Sequence, residues 1–281
     1  MGDLSVHSEQ GIWAVVPVKP FELAKQRLAE ILDRVEREQL MRCMVQDVVA
    51  ALRKSRGIDG ILLVSRSAAV KALAQQLDVE HWQESESADL SQAVSEAGDW
   101  VIQRHSAQAT LIIPGDVPLL EPGEIERLVA CCGTREPCLA LVPDRREEGT
   151  NAVLSSPPNL IPYRYDGTSF KPHLRAAQQR GVDPITLHLA SIELDIDTPE
   201  DLQQFLWRIS HDRGGNAAHK HPARARGMGS HQAGGVTAGH ATTAFLASIN
   251  LRNRLADYLY DHRGCSPEIP QSNSDVTRRT G

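Results

Sequence analysis

The chain has 281 residues, 41% hydrophobic and 23% charged, with a net charge of −6 and a pI near 6.0. That supports a sizeable core in one or two domains; the acid excess and 4% aromatic content exclude a general nucleic-acid binder with a basic or base-stacking surface. No run reaches the ~18 apolar residues of a membrane span, and the start MGDLSVHSEQ lacks a signal core, so the expectation is a soluble cytoplasmic protein.

Ile12 to Val18 is apolar, β-branched and uncharged, the composition of a central parallel strand. Pro17 cannot donate to a ladder, so pairing should fail near the strand's carboxyl end. Lys19, Lys25 and Arg27 follow within nine positions. Ligands of open α/β sheets sit at the carboxyl ends of strands, so these cations suggest a polyanion. The stretch has neither GxxxxGK[ST] nor GxGxxG, and no glycine between Gly11 and Leu28, so side chains rather than a backbone nest would hold phosphates. A solvated basic face at a helix start is the plainer reading.

Glu36 to Lys54 is an amphipathic helix with Leu40, Met41, Met44, Val45, Val48, Val49 and Leu52 on one stripe. Ile61 to Ser65 is a second strand, Ser67 caps a short helix to about Leu77, and Val79 to Trp82 is a third strand. Asp89 to Arg104 is helical, Ala109 to Ile113 is a fourth strand ending at Pro114-Gly115-Asp116, and helix 122–131 opens on Pro122. The five cysteines are Cys43, Cys131, Cys132, Cys138 and Cys265; an odd number without paired spacing points to a reducing compartment, and adjacent Cys131-Cys132 fits a zinc site poorly.

Leu139 to Pro143, Asn151 to Ser155, Ile185 to Leu189 and Ile192 to Ile196 read as strands, with a helix from about Ser169 to Arg180 among them. Such a run adds antiparallel edge strands to a parallel sheet. A helix from Pro199 to about Ile209 ends a domain spanning 11–210. From His211 to Thr243 there is no aromatic residue, and Gly, Ala, His and Arg dominate, the composition of a disordered linker. In 244–281, Ala244 to Tyr260 is a helix that docks on the domain or on a partner, and the rest is tail. Trimming at His211 is expected to leave activity intact.

Three acids fall at strand ends: Asp116 in PGDVPLL, and Asp195 and Asp197 in ELDIDTPEDL. With a period of two, the latter pair share a face. Carboxylates there suit magnesium, which takes oxygen ligands and substrate phosphates. The plainer readings are a turn residue for Asp116 and a helix cap for Asp197. A second polar cluster comprises Gly149-Thr150-Asn151 and the segment Tyr165 to Phe170. Ser169 is either an anion site at a helix start or a plain N-cap, and His173 faces either the site or the core.

VPVKPFELAKQRL, PGDVPLL, GTNAVL, SFKPH and LDIDTPEDL, in this order, resemble the 2-phospho-L-lactate and phosphoenolpyruvate guanylyltransferases of coenzyme F-420 biosynthesis, over about Trp13 to Leu206. The resemblance implies a single glycosyltransferase-A-like (Rossmann-like) α/β nucleotidyltransferase domain with a mixed, mostly parallel sheet. It implies GTP as donor, Mg2+, and a phosphorylated three-carbon acid as acceptor, with a homodimer left open. Metal binding falls on Asp116, Asp195 and Asp197, catalysis on Lys25 and Asp116, GTP phosphate binding on Lys19, Lys25 and Arg27, and acceptor binding on Thr150, Asp166 and Ser169. Asp166 stands where the family usually has glycine, and Asp89-Leu90-Ser91 where it usually has Gly-Leu-Asn. Both departures bear on the acceptor and bring 3-phospho-D-glycerate into the set. The rivals are a cytidylyltransferase or molybdopterin guanylyltransferase on the same sheet, and a non-catalytic nucleotide-binding module.

Overall fold

Residues 11–133, 136–212 and 238–263 are described by the computed structural model. Strand β1 (Ile12–Pro17) leads through two 3-10 turns into helix α1 (Arg34–Lys54). The alternation continues with β2 (Gly60–Val64), α2 (Ala68–Gln76), β3 (Glu80–Trp82), α3 (Leu90–His105), β4 (Ala109–Ile112) and α4 (Pro122–Cys132). Then come β5 (Cys138–Pro143), β6 (Thr150–Ser156), α5 (Phe170–Gln179), β7 (Ile185–Thr186) and α6 (Pro199–Asp212), followed by α7 (His240–Ser248) and α8 (Leu251–Arg263).

The strands form one sheet in the order β3-β2-β1-β4-β6-β5-β7. Among the described residues the β1–β2, β1–β4, β2–β3 and β5–β7 pairs are parallel, and β4–β6 and β5–β6 are antiparallel. The expected mixed, mostly parallel α/β sheet is therefore present. Period two divides each central strand between two cores. Ile12, Ala14 and Val16 join α1 and α4 on one face, while Trp13 and Val15 join α3 and α5 on the other. Gly60 lies opposite Trp13 in the parallel register, and a Cβ there would clash with the indole. Asp33 starts α1 with a capping box: its side chain accepts from Glu36 N, and the Glu36 side chain accepts from Asp33 N. Ser67 makes no such bond at α2.

Ile192 to Ile196 is not a strand. Ile192, Leu194 and Ile196 are buried, which explains the alternation. However, the N–H groups of Ile192 and Glu193 turn back on Leu189 O, and Ile196 N donates to Asp116 O. The segment is a loop laid over the sheet edge. Cys132 and Cys138 are disulfide-bonded, with Cα atoms 5.7 Å apart, because the end of α4 lies beside the start of β5. The odd cysteine count hid this pair, so it does not support a reducing compartment. No described helix is long and apolar enough to cross a membrane.

The expected helix from Ala244 to Tyr260 is two helices, broken at Asn250, whose φ is 52°. His240 to Thr243, read as linker, is the first turn of α7; 213–237 and the tail from 264 lie outside the described residues. Asp47 on α1 accepts from Ala241 N and Thr242 N at 2.8 Å each, capping α7 from a distance. Arg254 makes a bidentate pair with Glu36. Leu246, Leu251, Leu255 and Leu259 are buried in the core that contains β1's Ile12, Ala14 and Val16. Each buried leucine contributes about 1.5–3 kcal/mol. Removing residues 240–281 is therefore expected to lower Tm by about 10 °C or more, at about 2–4 °C per kcal/mol for a chain of this size. An unchanged melting curve would contradict this packing.

Candidate active site

The strand order reverses at β1 and β4, so their carboxyl ends open a crevice at a topological switch point. The loop after β1 is anchored by buried Phe21, Ala24 and Leu28. Between its 3-10 turns Lys25 adopts a left-handed conformation, φ 54° and ψ 38°. That backbone reversal sends Lys25 inward, where the residue is 8% exposed, while Lys19 and Arg27 stay exposed along the crevice. Lys25 Nζ donates to Asp116 Oδ2 at 2.6 Å and to Asp197 Oδ1 at 2.7 Å. Burial alone would lower its pKa, but Asp116 and Asp197 together hold it above the usual lysine range.

Burial also works against the charged form of Asp197. Lys25, and then Lys19 and Arg27, overcome it and keep that carboxyl below its usual range. Asp195 goes the other way, up to about 6, through burial and then repulsion from Asp116 and Asp197. Asn151 Nδ2, at 3.3 Å, offsets part of this and also donates to Ile192 O. Asp201 holds the Asp197-Thr198 backbone, its Oδ2 accepting from both N–H groups and from Thr198 Oγ1. Asp197 thus faces Lys25 rather than capping the helix, and Asp201 is the helix-start acid that holds its backbone.

Asp116, Asp195 and Asp197 do not form a ready-made metal cage; among the described residues no group of acid, His or Cys side chains does. Lys25 spans two of them and Asn151 takes the third. Asp116 Oδ1 is nevertheless buried without a hydrogen-bond partner. A free carboxylate oxygen beside surplus negative charge fits magnesium as it binds nucleotides, through one or two carboxylates plus phosphate oxygens.

Two lobes of about 530 Å³ each meet at this centre and share Lys19, Arg27, Asp116 and Asp197. One is lined by Thr150, Tyr165, Ser169, Asp195, Arg145 and Arg146. The other is lined by Leu23, Lys25, Met41, Val64, Arg66 and Glu84. Arg66 pairs with Glu84 at 3.1 Å and donates to the carbonyls of Glu86 and Ala88, fixing that wall.

In the first lobe, Thr150 opens β6, whose antiparallel course brings its start to the same edge as the end of β4. Ser169 is 3% exposed, and its hydroxyl makes no capping bond, so it is not a plain N-cap. Asp166 does not project into the lobe. Its side chain is 58% exposed, lies 3.8 Å from Arg164 Nε, and accepts from Thr168 N and Oγ1. Its own turn and Arg164 draw the carboxylate away, so only its backbone remains available to an acceptor. Ser91, the other departure, accepts from Tyr165 N at 3.0 Å and ties that loop to α3.

Sequence reasoning passed over Arg145 and Arg146. They follow β5, which runs parallel to β4, so the strand-end rule applied to Lys19 would have found them. Asp144 shapes their turn by accepting from the N–H groups of Arg146, Glu148 and Gly149. Asp201 carried a signal as well, the Thr-x-x-acid spacing of a capping box.

His173 is fully buried, with Nε2 accepting from Arg164 N at 3.0 Å and Nδ1 3.1 Å from Thr150 Oγ1. Burial pulls its pKa down to about 4 from 6.5, against a smaller opposing pull from Asp166. The unfolded chain therefore binds more protons between those values. The stability this contributes is full above pH 6.5 and is lost as pH falls toward 4, by about 3 kcal/mol at most. Urea unfolding at pH 7 and pH 4.5 should show the wild type losing about 2–3 kcal/mol more than His173→Phe. Equal losses would mean that this imidazole protonates freely in the folded state.

Comparison with known proteins agrees with this geometry. The family "Guanylyl transferase CofC like" matches residues 12–220. A phosphoenolpyruvate guanylyltransferase of Rubrobacter xylanophilus is 37% identical over 191 residues, 68% of this chain and 91% of that protein. A 3-phospho-D-glycerate guanylyltransferase of Colwellia psychrerythraea is 33% identical over 189 residues, 67% of this chain and 88% of that protein. A solved nucleotidyl transferase from Methanothermobacter thermautotroptrophicus has a TM-score of 0.50 at 16% identity, covering 73% of this chain and 99% of that one, a likeness of fold alone. The family match takes in the cation loop, Asp116, Thr150, Ser169 and the Asp195–Asp201 segment. This chain therefore belongs to the CofC-like guanylyl transferase family.

Proposed function

We propose that the chain transfers GMP from GTP to the phosphate of a three-carbon phospho-acid, releasing pyrophosphate, as a step of coenzyme F-420 biosynthesis. The observation that carries this reading is Lys25, buried between Asp116 and Asp197 where the two lobes meet. The nucleoside lies in the lobe of Leu23, Met41 and Arg66. Lys19, Lys25 and Arg27 take the triphosphate, and Thr150, Ser169 and the Asp166 backbone take the acceptor. The acceptor's phosphate oxygen attacks the α-phosphorus in line, and its bond to pyrophosphate breaks. A phosphate monoester has its second pKa near ~6, so the nucleophile is already a dianion at neutral pH and no general base is needed. Catalysis is then positioning and charge neutralisation. Magnesium, held by Asp116 with Asp195 and Asp197, would supply further neutralisation of the phosphates.

Arg145 and Arg146 give the acceptor lobe cations for a substrate carrying both phosphate and carboxylate. The test is a panel of phosphoenolpyruvate, 2-phospho-L-lactate and 3-phospho-D-glycerate with GTP and magnesium, the product identified by mass. A diphosphate-linked guanosine adduct with one acceptor is expected. No adduct from a folded, GTP-binding protein would contradict the reading.

A further inference from the structure

We infer that His173 is the positioning residue of the acceptor lobe: it sets Thr150 as a hydrogen-bond donor toward the acceptor and locks the loop carrying Ser169 beside it. This rests on the reading above that Thr150 touches the acceptor.

Arg164 N–H can only donate, so His173 Nε2, 3.0 Å away, is the unprotonated nitrogen. A neutral imidazole then carries its proton on Nδ1, which faces Thr150 Oγ1 at 3.1 Å. Thr150 Oγ1 accepts a hydrogen bond from that N–H, so its own hydroxyl hydrogen is directed elsewhere. Thr150 lines the acceptor lobe, where an anion would accept it. Without the imidazole the hydroxyl would be free to rotate, pointing its lone pairs at the anion as readily as its hydrogen.

The same ring orders the loop. Arg164 opens the segment 164–169 and is held by the ring, while the backbone N–H of His173 donates to Ser169 O at 3.0 Å. Ser91 holds Tyr165 N from the other side, and Phe170 N donates to Glu148 O. The rings of Tyr163 and Tyr165 meet the imidazole edge-on, with centroids 6.3 and 5.3 Å away. Those contacts keep the ring plane from turning. One side chain thus joins β6, the loop and α5 around the acceptor.

A histidine serving only to fill the core would be replaced by phenylalanine with little consequence for substrate binding. The test is a double-mutant cycle of His173→Phe and Thr150→Val, with kcat and both KM values read. A hydrogen bond to a charged group contributes about 1.5–3 kcal/mol, so each single variant should raise the acceptor KM by about tenfold or more. The GTP KM should stay within about twofold, because the other lobe is untouched. In the Thr150→Val background, His173→Phe should add less than about threefold, since the two act as a unit. His173→Asn, which can still donate to Thr150, should recover part of the acceptor affinity and covers the case of a poorly folding His173→Phe. If Thr150→Val leaves the acceptor KM unchanged, the reading of the lobe fails and takes this inference with it. If Thr150→Val raises it but both His173 variants leave it unchanged, or move both KM values together, the inference alone is overturned.

Discussion

Lys25→Met is expected to lose activity by about 10³-fold, a loss that includes both binding and chemistry. Methionine matches the lysine stem as far as Cε and fills most of its buried path, so the change is chiefly the loss of the ammonium. Lys25 is the cation drawn inside the site, while Lys19 and Arg27 stay exposed. In the crevice it can stabilise negative charge that appears as pyrophosphate departs. Removing it also leaves Asp116 and Asp197 facing each other without their shared ammonium. Their side chains are 22% and 45% exposed, so water screens part of the repulsion, and the stability loss at pH 7 should be about 2 kcal/mol rather than the larger loss of a wholly buried pair. Lys25 holds the Asp197 carboxyl below its usual range, so the stability it provides exists above the unfolded value and fades as pH falls. Melting curves of the two proteins should therefore converge in acid. Near-normal turnover in Lys25→Met would remove this lysine from the chemistry.

Asp116→Asn should cost about 10²–10³-fold in kcat while Tm moves by only a few degrees. Asparagine preserves the shape of the residue and can still accept from Lys25 Nζ through its carbonyl oxygen. It loses the charge and replaces one carboxylate oxygen with an amide. Asp116 Oδ1 has no hydrogen-bond partner, so no protein contact is broken there. The Asp116 backbone, which accepts from Ile196 N, is unaffected. Circular dichroism melts separate the two effects from misfolding. A variant that folds and turns over normally would place the phosphate-binding charge elsewhere.

Much of the candidate site was legible because strand ends gather polar residues from distant parts of the chain. Lys25 lies 91 positions from Asp116 and 172 from Asp197, yet each follows or flanks an apolar stretch that ends at the same sheet edge. The burial of Lys25 was not legible, since it depends on one left-handed residue between two short turns. The His173–Thr150 bond was hidden because it needs β6 to run back beside the start of α5. Asp166 misled in the opposite sense: its type suggested a charge at the acceptor, and a local turn diverts it to Thr168 and Arg164. The spacing of Leu246, Leu255 and Leu259 announced a helical segment, but its break at Asn250 and the capping of α7 by Asp47 from α1 exist only in three dimensions.

The most direct measurement follows a labelled phosphorus. The protein is incubated with magnesium, a three-carbon phospho-acid and GTP labelled at the α-phosphorus or, separately, at the γ-phosphorus. With Asp116 and Lys25 placed at the junction of the lobes, the α-label should move into a guanosine adduct of the acid, and the γ-label should leave as pyrophosphate. Transfer of the γ-label to the acid, or release of inorganic phosphate alone, would mean that attack occurs at the other end of the triphosphate and would contradict GMP transfer.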